Sequence, residues 1–466
     1  MEPPLQSPVD LFDAARPFPR DSILGKVSTV IDQLQSSDDI AVGDALRTLA
    51  EWSADRDPRT RLMIAAGGAI PALQEAFMTG GQEIKSLAVR LLDTLAQVPA
   101  IMIRIKKGIL PSLLDRLRSG KVDDRTACAL SMLTLIDAGG SQLLDLMTGA
   151  IEPLVRLLTD GRPQEQGAAA ISLGGLAALA ANRVRMAEAG AIGPLVRLLT
   201  IGTPEGKAAA AGALWNLAVL PSNRARIANA GAIRPLVELL RAGTPDTTVA
   251  AAGALRYLTA TDDTCKGGVA EAGAIPLLVK LLETGSPEGK IAAADLLQTL
   301  ALLRANQASM AEAIRPLVAL LRVGSEESKA AAAGALWNLA ALDENKSQIA
   351  NAGTIPLLVD MLKTGTSEGK AAAAGVIRRL ATQAASLDEI ADAGAIESLV
   401  HLLRTGTARD KAMAAEALQG LALLDSNRSR MASAGAIESL VELMLSGPPE
   451  VNAAAAGALA SLQLMS

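Results

Sequence analysis

Aromatic residues make up only 2% of the 466-residue chain: three Phe, three Trp and one Tyr. A core so short of rings must be filled by aliphatic side chains, and hydrophobic residues still reach 50%, mostly Ala, Leu, Ile and Val. Ala and Leu lose little rotamer freedom in a helix, so the composition reads as all-α. Histidine is scarcer still. His401 stands alone, with no Cys–His pair, phosphate-cradling glycine loop or zinc spacing in the chain, which leaves no catalytic residue, metal ligand or cofactor site to name. The Gly206-Lys207, Gly289-Lys290 and Gly369-Lys370 pairs lack the upstream glycine that a P-loop requires. The two cysteines, Cys128 and Cys265, lie far apart without a CxxC neighbour, which argues against zinc and fits a reducing compartment. A basic excess is absent too: 44 Lys and Arg face 49 Asp and Glu, for a net charge of −5, which excludes nucleic acid as the main partner. Mean hydropathy is +0.29, yet no uncharged run reaches the roughly 18 apolar residues of a spanning helix. Met1-Glu2-Pro3-Pro4 opens without the basic and apolar regions of a secretory leader, and Glu2 stands where myristoylation needs glycine. These readings predict a cytoplasmic location, with the nucleus also open, and no insertion into membranes.

What the chain does have is a phrase that returns about every 41 residues: a Gly-Ala-Ile step, then Pro or Leu-Val, then Leu-Leu. Its apolar anchor falls at Ile70, Leu110, Ile151, Ile192, Ile233, Ile275, Ile314, Ile355, Ile396 and Ile437. A fixed period of this size means one supersecondary unit copied and stacked, because no single unit can bury its own apolar face. In the unit from Ser222, Ser222-Asn223 is expected to cap a short helix that ends at Gly231. A second helix starts near Ile233 with Pro235 in its first turn and stops at Gly243, and Thr244 then caps a third helix with Pro245 at its first position. Thr203-Pro204 and Ser286-Pro287 open the equivalent helices of other units.

A short helix, a glycine corner and two longer helices resemble the armadillo repeat family. The residues carrying the resemblance are the Ala-Gly-Ala-Ile corners and the Ala-Leu-Trp-Asn-Leu-Ala segments at Ala213–Ala218 and Ala335–Ala340. It implies a right-handed α-solenoid, the armadillo superhelix, of about eleven three-helix repeats over residues 21–466. Residues 1–20 hold Pro3, Pro4, Pro8, Pro17 and Pro19 and read as a flexible tail. Two indels interrupt the period. The longer step, at Asp262–Gly268, predicts an extended loop; the shorter one, Glu312-Ala313-Ile314, deletes the corner glycine and predicts fused or sharply re-angled helices.

The resemblance also implies where a partner sits. Armadillo proteins hold extended peptides along the groove lined by their third helices, where an Asn often clamps the peptide backbone through an amide that both donates and accepts. The matching row reads Thr48, Thr94, Thr134, Gly175, Asn216, Tyr257, Thr299, Asn338, Arg379, Gly420 and Ser461, so only Asn216 and Asn338 keep the clamp. One residue earlier stand Trp215, Arg256, Gln298, Trp337 and Arg378. Aromatic side chains are common interface anchors, although a Trp here also suits the plain task of filling a gap between Ala-rich layers. Arg forks pair with carboxylates and stack on rings. Together Trp215, Asn216, Arg256, Tyr257, Gln298, Trp337, Asn338, Arg378 and Arg379 form a candidate aromatic–cationic track for an extended, partly acidic segment, partly offset by Asp295 and Glu416.

Three functions compete. Catalysis finds no residues, since other repeats replace His401 with Arg156, Arg197, Glu238, Lys280 or Asp360. A nuclear-import carrier resembling importin-α would carry Trp one turn before each Asn; here that place holds Gly212, Gly253, Asp295, Gly334 and Gly375. A non-enzymatic scaffold or adaptor that binds other proteins fits best, with no U-box, kinase or lipid motif beside the solenoid. The apolar last helix, uncharged after Glu450, suits weak self-association.

Overall fold

A computed structural model of the chain describes residues 23–36, 38–54, 58–119, 125–126, 128–129 and 147–463. The expected tail at 1–20 and Thr134 of the groove row lie outside them. Within the described residues every regular element is helical. The chain forms two compact units, Met1–Ala230 and Gly231–Ser466.

In the second unit the repeat is most regular. Short helices Asp343–Asn351, Ala384–Asp392 and Asp425–Ser433 alternate with second helices such as Thr354–Thr364 and Ala395–Thr405 and third helices such as Glu326–Leu339 and Ser367–Leu380. Third helices at Pro245–Thr259, Pro287–Leu300, Glu326–Leu339, Ser367–Leu380, Ala408–Leu421 and Pro449–Gln463 pack each on the next, and each second helix packs on the third helix that follows it. The core is aliphatic as the composition requires: Ala332, Ala333, Ala335, Leu336 and Leu339 are all fully buried on one third helix. Each leucine so buried contributes about 1.5–3 kcal/mol. In the first unit Asp39–Ser53 packs on Gln82–Ala96 and Pro163–Leu176 on Pro204–Ala218 in the same manner. Ten of the eleven expected third helices therefore fall within the described residues.

The stop and start signals act as expected. Thr203, Ser286, Ser325 and Thr366 each accept the backbone N–H three residues on, and proline takes the first helical position where present. The corner needs a left-handed residue, and glycine supplies it at Gly68, Gly190, Gly231, Gly273, Gly353, Gly394 and Gly435, with φ from 72° to 96°.

Three local expectations are corrected. Asp262–Gly268 is no loop: Asp263–Glu271 is a short helix capped by Asp262, whose carboxylate accepts Thr264 N–H at 2.8 Å. An N-cap and the stacking of neighbouring repeats outweigh the poor helix propensity of Gly267 and Gly268. The 39-residue step does not fuse its helices. The short helix shrinks to Arg304–Gln307 and a 3₁₀ turn at Ala311–Ala313 replaces the glycine corner. Fusion occurs elsewhere, in Pro99–Ser119, which runs through the first and second helix positions of its repeat with Pro111 inside.

The third correction concerns Asn223. It does not cap the start of its own helix, since the short helix is Pro221–Asn229 and Leu220 holds the cap position. Instead Asn223 is 2% exposed and its amide donates to Leu217 O at 3.1 Å and Arg183 O at 3.3 Å. Asn306, Asn345 and Asn427 make the same pair of bonds, to the end of the preceding third helix and to the short helix of the repeat before. Beside them, Arg183, Arg224, Gln307 and Arg428 donate to Ala177, Ala218, Ala301 and Ala422 O. The last carbonyls of a helix lack intrahelical partners, and these side chains supply them. No single helix in the described residues is long and apolar enough to cross a membrane.

Candidate groove of the third helices

The third helix is buried along its packed sides, and the candidate residues fall among the positions where it is not. On Glu326–Leu339 the residues from Ala331 to Leu336 are buried, Trp337 and Asn338 are half-buried, and Leu339 closes the core again. The same two-residue window opens at Arg256–Tyr257, Gln298–Thr299 and Arg378–Arg379 in the second unit and at Trp215–Asn216 in the first. A helix with small residues on its packed sides leaves a narrow outer stripe, and both sequence rows fall on it.

The amides are partly committed. Asn338 Nδ2 donates to Gln298 O at 2.8 Å, and Asn216 Nδ2 donates to Gly174 O at 2.9 Å. Each bond ties one third helix to the preceding one and leaves the amide's second N–H and its oxygen as the groups a ligand can use.

The row one residue earlier follows a size and charge rule across neighbouring helices. Large uncharged side chains lie on glycine: a Cβ on Gly375 would come within 2.6 Å of the Trp337 indole, and one on Gly334 within 2.6 Å of the Gln298 amide. Arginines instead meet carboxylates, with Arg256 3.9 Å from Asp295 and Arg378 3.3 Å from Glu416. Arg256 also stacks on Tyr257, 4.8 Å from the ring centre. The expected cationic character of the track is therefore largely spent inside the protein. Burial holds the Asp295 carboxyl above the ordinary range, and Arg256 pulls it back down. Arg379 has a buried Nε without a hydrogen-bond partner, and burial together with neighbouring Arg378 lowers its pKa against the opposing pull of Glu416.

A cleft of about 640 Å³ opens beside Trp337, in the second unit. Its apolar lining is Ile291, Ala330, Ala331, Gly334 and Ala372; Gln298 and Trp337 also line it, and its charged lining is Asp295, Glu327 and Glu368 with Arg409. Glu327, Glu368 and Arg409 are solvent-exposed and were absent from the sequence-derived track. Their signal was present, since an acidic residue recurs at the second position of successive third helices, as in Glu205, Glu288, Glu327 and Glu368. That place is also the one a helix dipole favours for a carboxylate, which hid the second use. His401 is exposed on a second helix with Thr405 Oγ 3.2 Å from its Nδ1 and is not part of this lining.

Residues 255–465 match the plant U-box protein ARM repeat region, and residues 180–219 and 221–260 match the armadillo/beta-catenin-like repeat. No curated protein sequence matches the chain. The crystal structure of an engineered protein is 27% identical, with 94% of this chain and 98% of that one covered at a TM-score of 0.62. A structure reported under "A conserved phosphorylation switch controls the interaction between cadherin and beta-catenin in vitro and in vivo" is 19% identical, covers 94% of each chain and reaches a TM-score of 0.67. This last likeness is one of fold alone.

Proposed function

Since the chain belongs to the armadillo-repeat family, whose solenoids serve as protein-binding scaffolds, we propose that it holds an extended segment of a partner protein in the groove of its third helices and performs no chemistry of its own. The observation that carries this reading is the solvent-facing stripe itself. Toward the C-terminal end of four successive third helices of the second unit, buried aliphatic residues flank the same two half-buried positions, which hold Arg256–Tyr257, Gln298–Thr299, Trp337–Asn338 and Arg378–Arg379. Polar and aromatic groups at a regular spacing on one face suit a chain segment that runs across the helices, with side-chain amides for its backbone and pockets for its side chains. The importin-α-like alternative lacks its Trp row: Gly212 and Gly334 stand one turn before Asn216 and Asn338, and Gly334 seats the Gln298 amide. An adaptor role and a cytoplasmic location, with the nucleus also open, complete the proposal.

Photo-crosslinking inside cells tests it. Benzophenone side chains placed at Gln298 or Thr299, in the groove, are expected to capture partner segments. The same groups at Asp360 and His401, exposed on second helices, serve as controls. Capture from the second-helix positions alone would remove the groove from the function.

A further inference from the structure

We propose that the cleft beside Trp337 selects a basic side chain, arginine or lysine, of the bound segment; this rests on the groove reading above and replaces the partly acidic partner that the arginine-rich rows suggest. The argument starts from where the charges go. Arg256 and Arg378 face Asp295 and Glu416 on the next third helix, so neither offers an unpaired cation to an acidic ligand. Glu327 and Glu368, by contrast, make no ion pair among the described residues and border an open volume of about 640 Å³. With Asp295 already facing Arg256, the two unpaired carboxylates Glu327 and Glu368 line that volume against one guanidinium, Arg409.

Shape and surface chemistry point the same way as charge. Ile291, Ala330, Ala331, Gly334 and Ala372 give the cleft an apolar lining of mostly small residues, a surface suited to the methylene stem of a long side chain. Trp337 rests on Gly375, so its indole is held in place by the following helix. Indole is the best of the aromatic faces for a cation, and a guanidinium or ammonium beside it stays within reach of the two glutamates. An acidic side chain in the same cleft would meet like charge, with Arg409 as the one cation among the lining residues and only neutral donors from Gln298 and Trp337.

The test uses the full chain with fluorescein-labelled hexa-arginine and hexa-glutamate peptides, read by fluorescence anisotropy at physiological salt. Hexa-arginine is expected to bind saturably and hexa-glutamate to show no binding in the same range. The Glu327→Gln/Glu368→Gln pair should weaken hexa-arginine about tenfold, and Trp337→Ala about fivefold. Glu312→Gln/Glu344→Gln, which removes the same charge from exposed sites elsewhere in the unit, should change it less than twofold. Equal losses from both glutamate pairs would reduce the effect to overall charge and overturn the proposal, as would absent hexa-arginine binding or tighter binding of hexa-glutamate. Crosslinks at Gln298 and Thr299 separate the two levels: if they persist while hexa-arginine fails, the cleft's preference is refuted and the groove stands, and if they vanish the groove falls with it.

Discussion

Asn345→Ala removes one of the bonds that fasten repeat to repeat, and its cost can be worked from the structure. Asn345 is 1% exposed and its amide donates to Leu339 O at 3.1 Å and Gln307 O at 3.2 Å. Leu339 O also receives Leu342 N–H, and Gln307 O receives a long bond from Met310 N–H, so neither carbonyl is stripped bare by the change. Two buried bonds at about 1 kcal/mol each, plus a small cavity where water cannot follow, give a loss of about 2–3 kcal/mol. In a stack of repeats that loss is local, because each repeat touches only its neighbours and long arrays lose two-state cooperativity. Native-state hydrogen exchange is therefore the right assay. Amides of Asp343–Asn351 and of the adjoining third helix Glu326–Leu339 should lose protection by a factor of about 30 to 140, at about 1.4 kcal/mol per tenfold, while those of Pro449–Gln463 stay unchanged. Asn351→Ala, at an exposed site six residues further on, is the control and should stay within about 0.5 kcal/mol. A loss below about 0.5 kcal/mol for Asn345→Ala, or a loss of protection spread evenly over the unit, would refute the role assigned to the amide.

Three further outcomes are expected. Ser386 occupies the place that Asn holds in neighbouring repeats and is 4% exposed, so Ser386→Asn should donate to Leu380 O and raise stability by about 1 kcal/mol in urea denaturation. Gly273 has φ of 84° with no heavy atom within 4 Å of an added Cβ, so Gly273→Ala costs conformational energy alone, about 1–2 kcal/mol; Gly193→Ala, in an exposed helical turn, should gain about 0.5 kcal/mol. Burial, then the bond from its thiol to Asp262, pushes Cys265 up to about 11 from an ordinary 9.0. The folded state thus favours the protonated thiol, and that stability is complete below pH 9.0 and is lost as pH rises through about 11. Alkylation of native Cys265 should be slow near neutrality and accelerate only in that window, whereas an equal rate at pH 7 and in the unfolded chain would contradict the burial argument.

The fold was legible because a repeat states the same thing many times. Gly231, Thr244 and Pro245 each carry weak evidence singly, but their recurrence in phase with Ile233, Ile275 and Ile355 leaves one reading of where helices stop and start. The longer indel was misread for the same reason, and at the shorter one the expected fusion does not occur although the glycine corner is lost as its deletion requires. At Asp262–Gly268 and Met310–Ile314 the repetition lapses, only local propensity remains, and packing against neighbouring repeats overrode it. Asn223 was legible as a residue of capping chemistry and not in its role, because its partners Leu217 and Arg183 are carbonyls six and forty residues away.

By itself the sequence determined the all-helical class, the period, the corners and the two half-exposed positions of each third helix, since all of these follow from spacing within one repeat. Only the tertiary structure decided what those positions do. Which arginine finds a carboxylate, which indole finds a glycine to rest on and which glutamates are left facing open space depend on residues 36 to 39 positions apart, brought together by the pitch of the stack. Pairing across repeats engages Arg256 and Arg378 with carboxylates of the next helix, and no window shorter than a repeat contains that information.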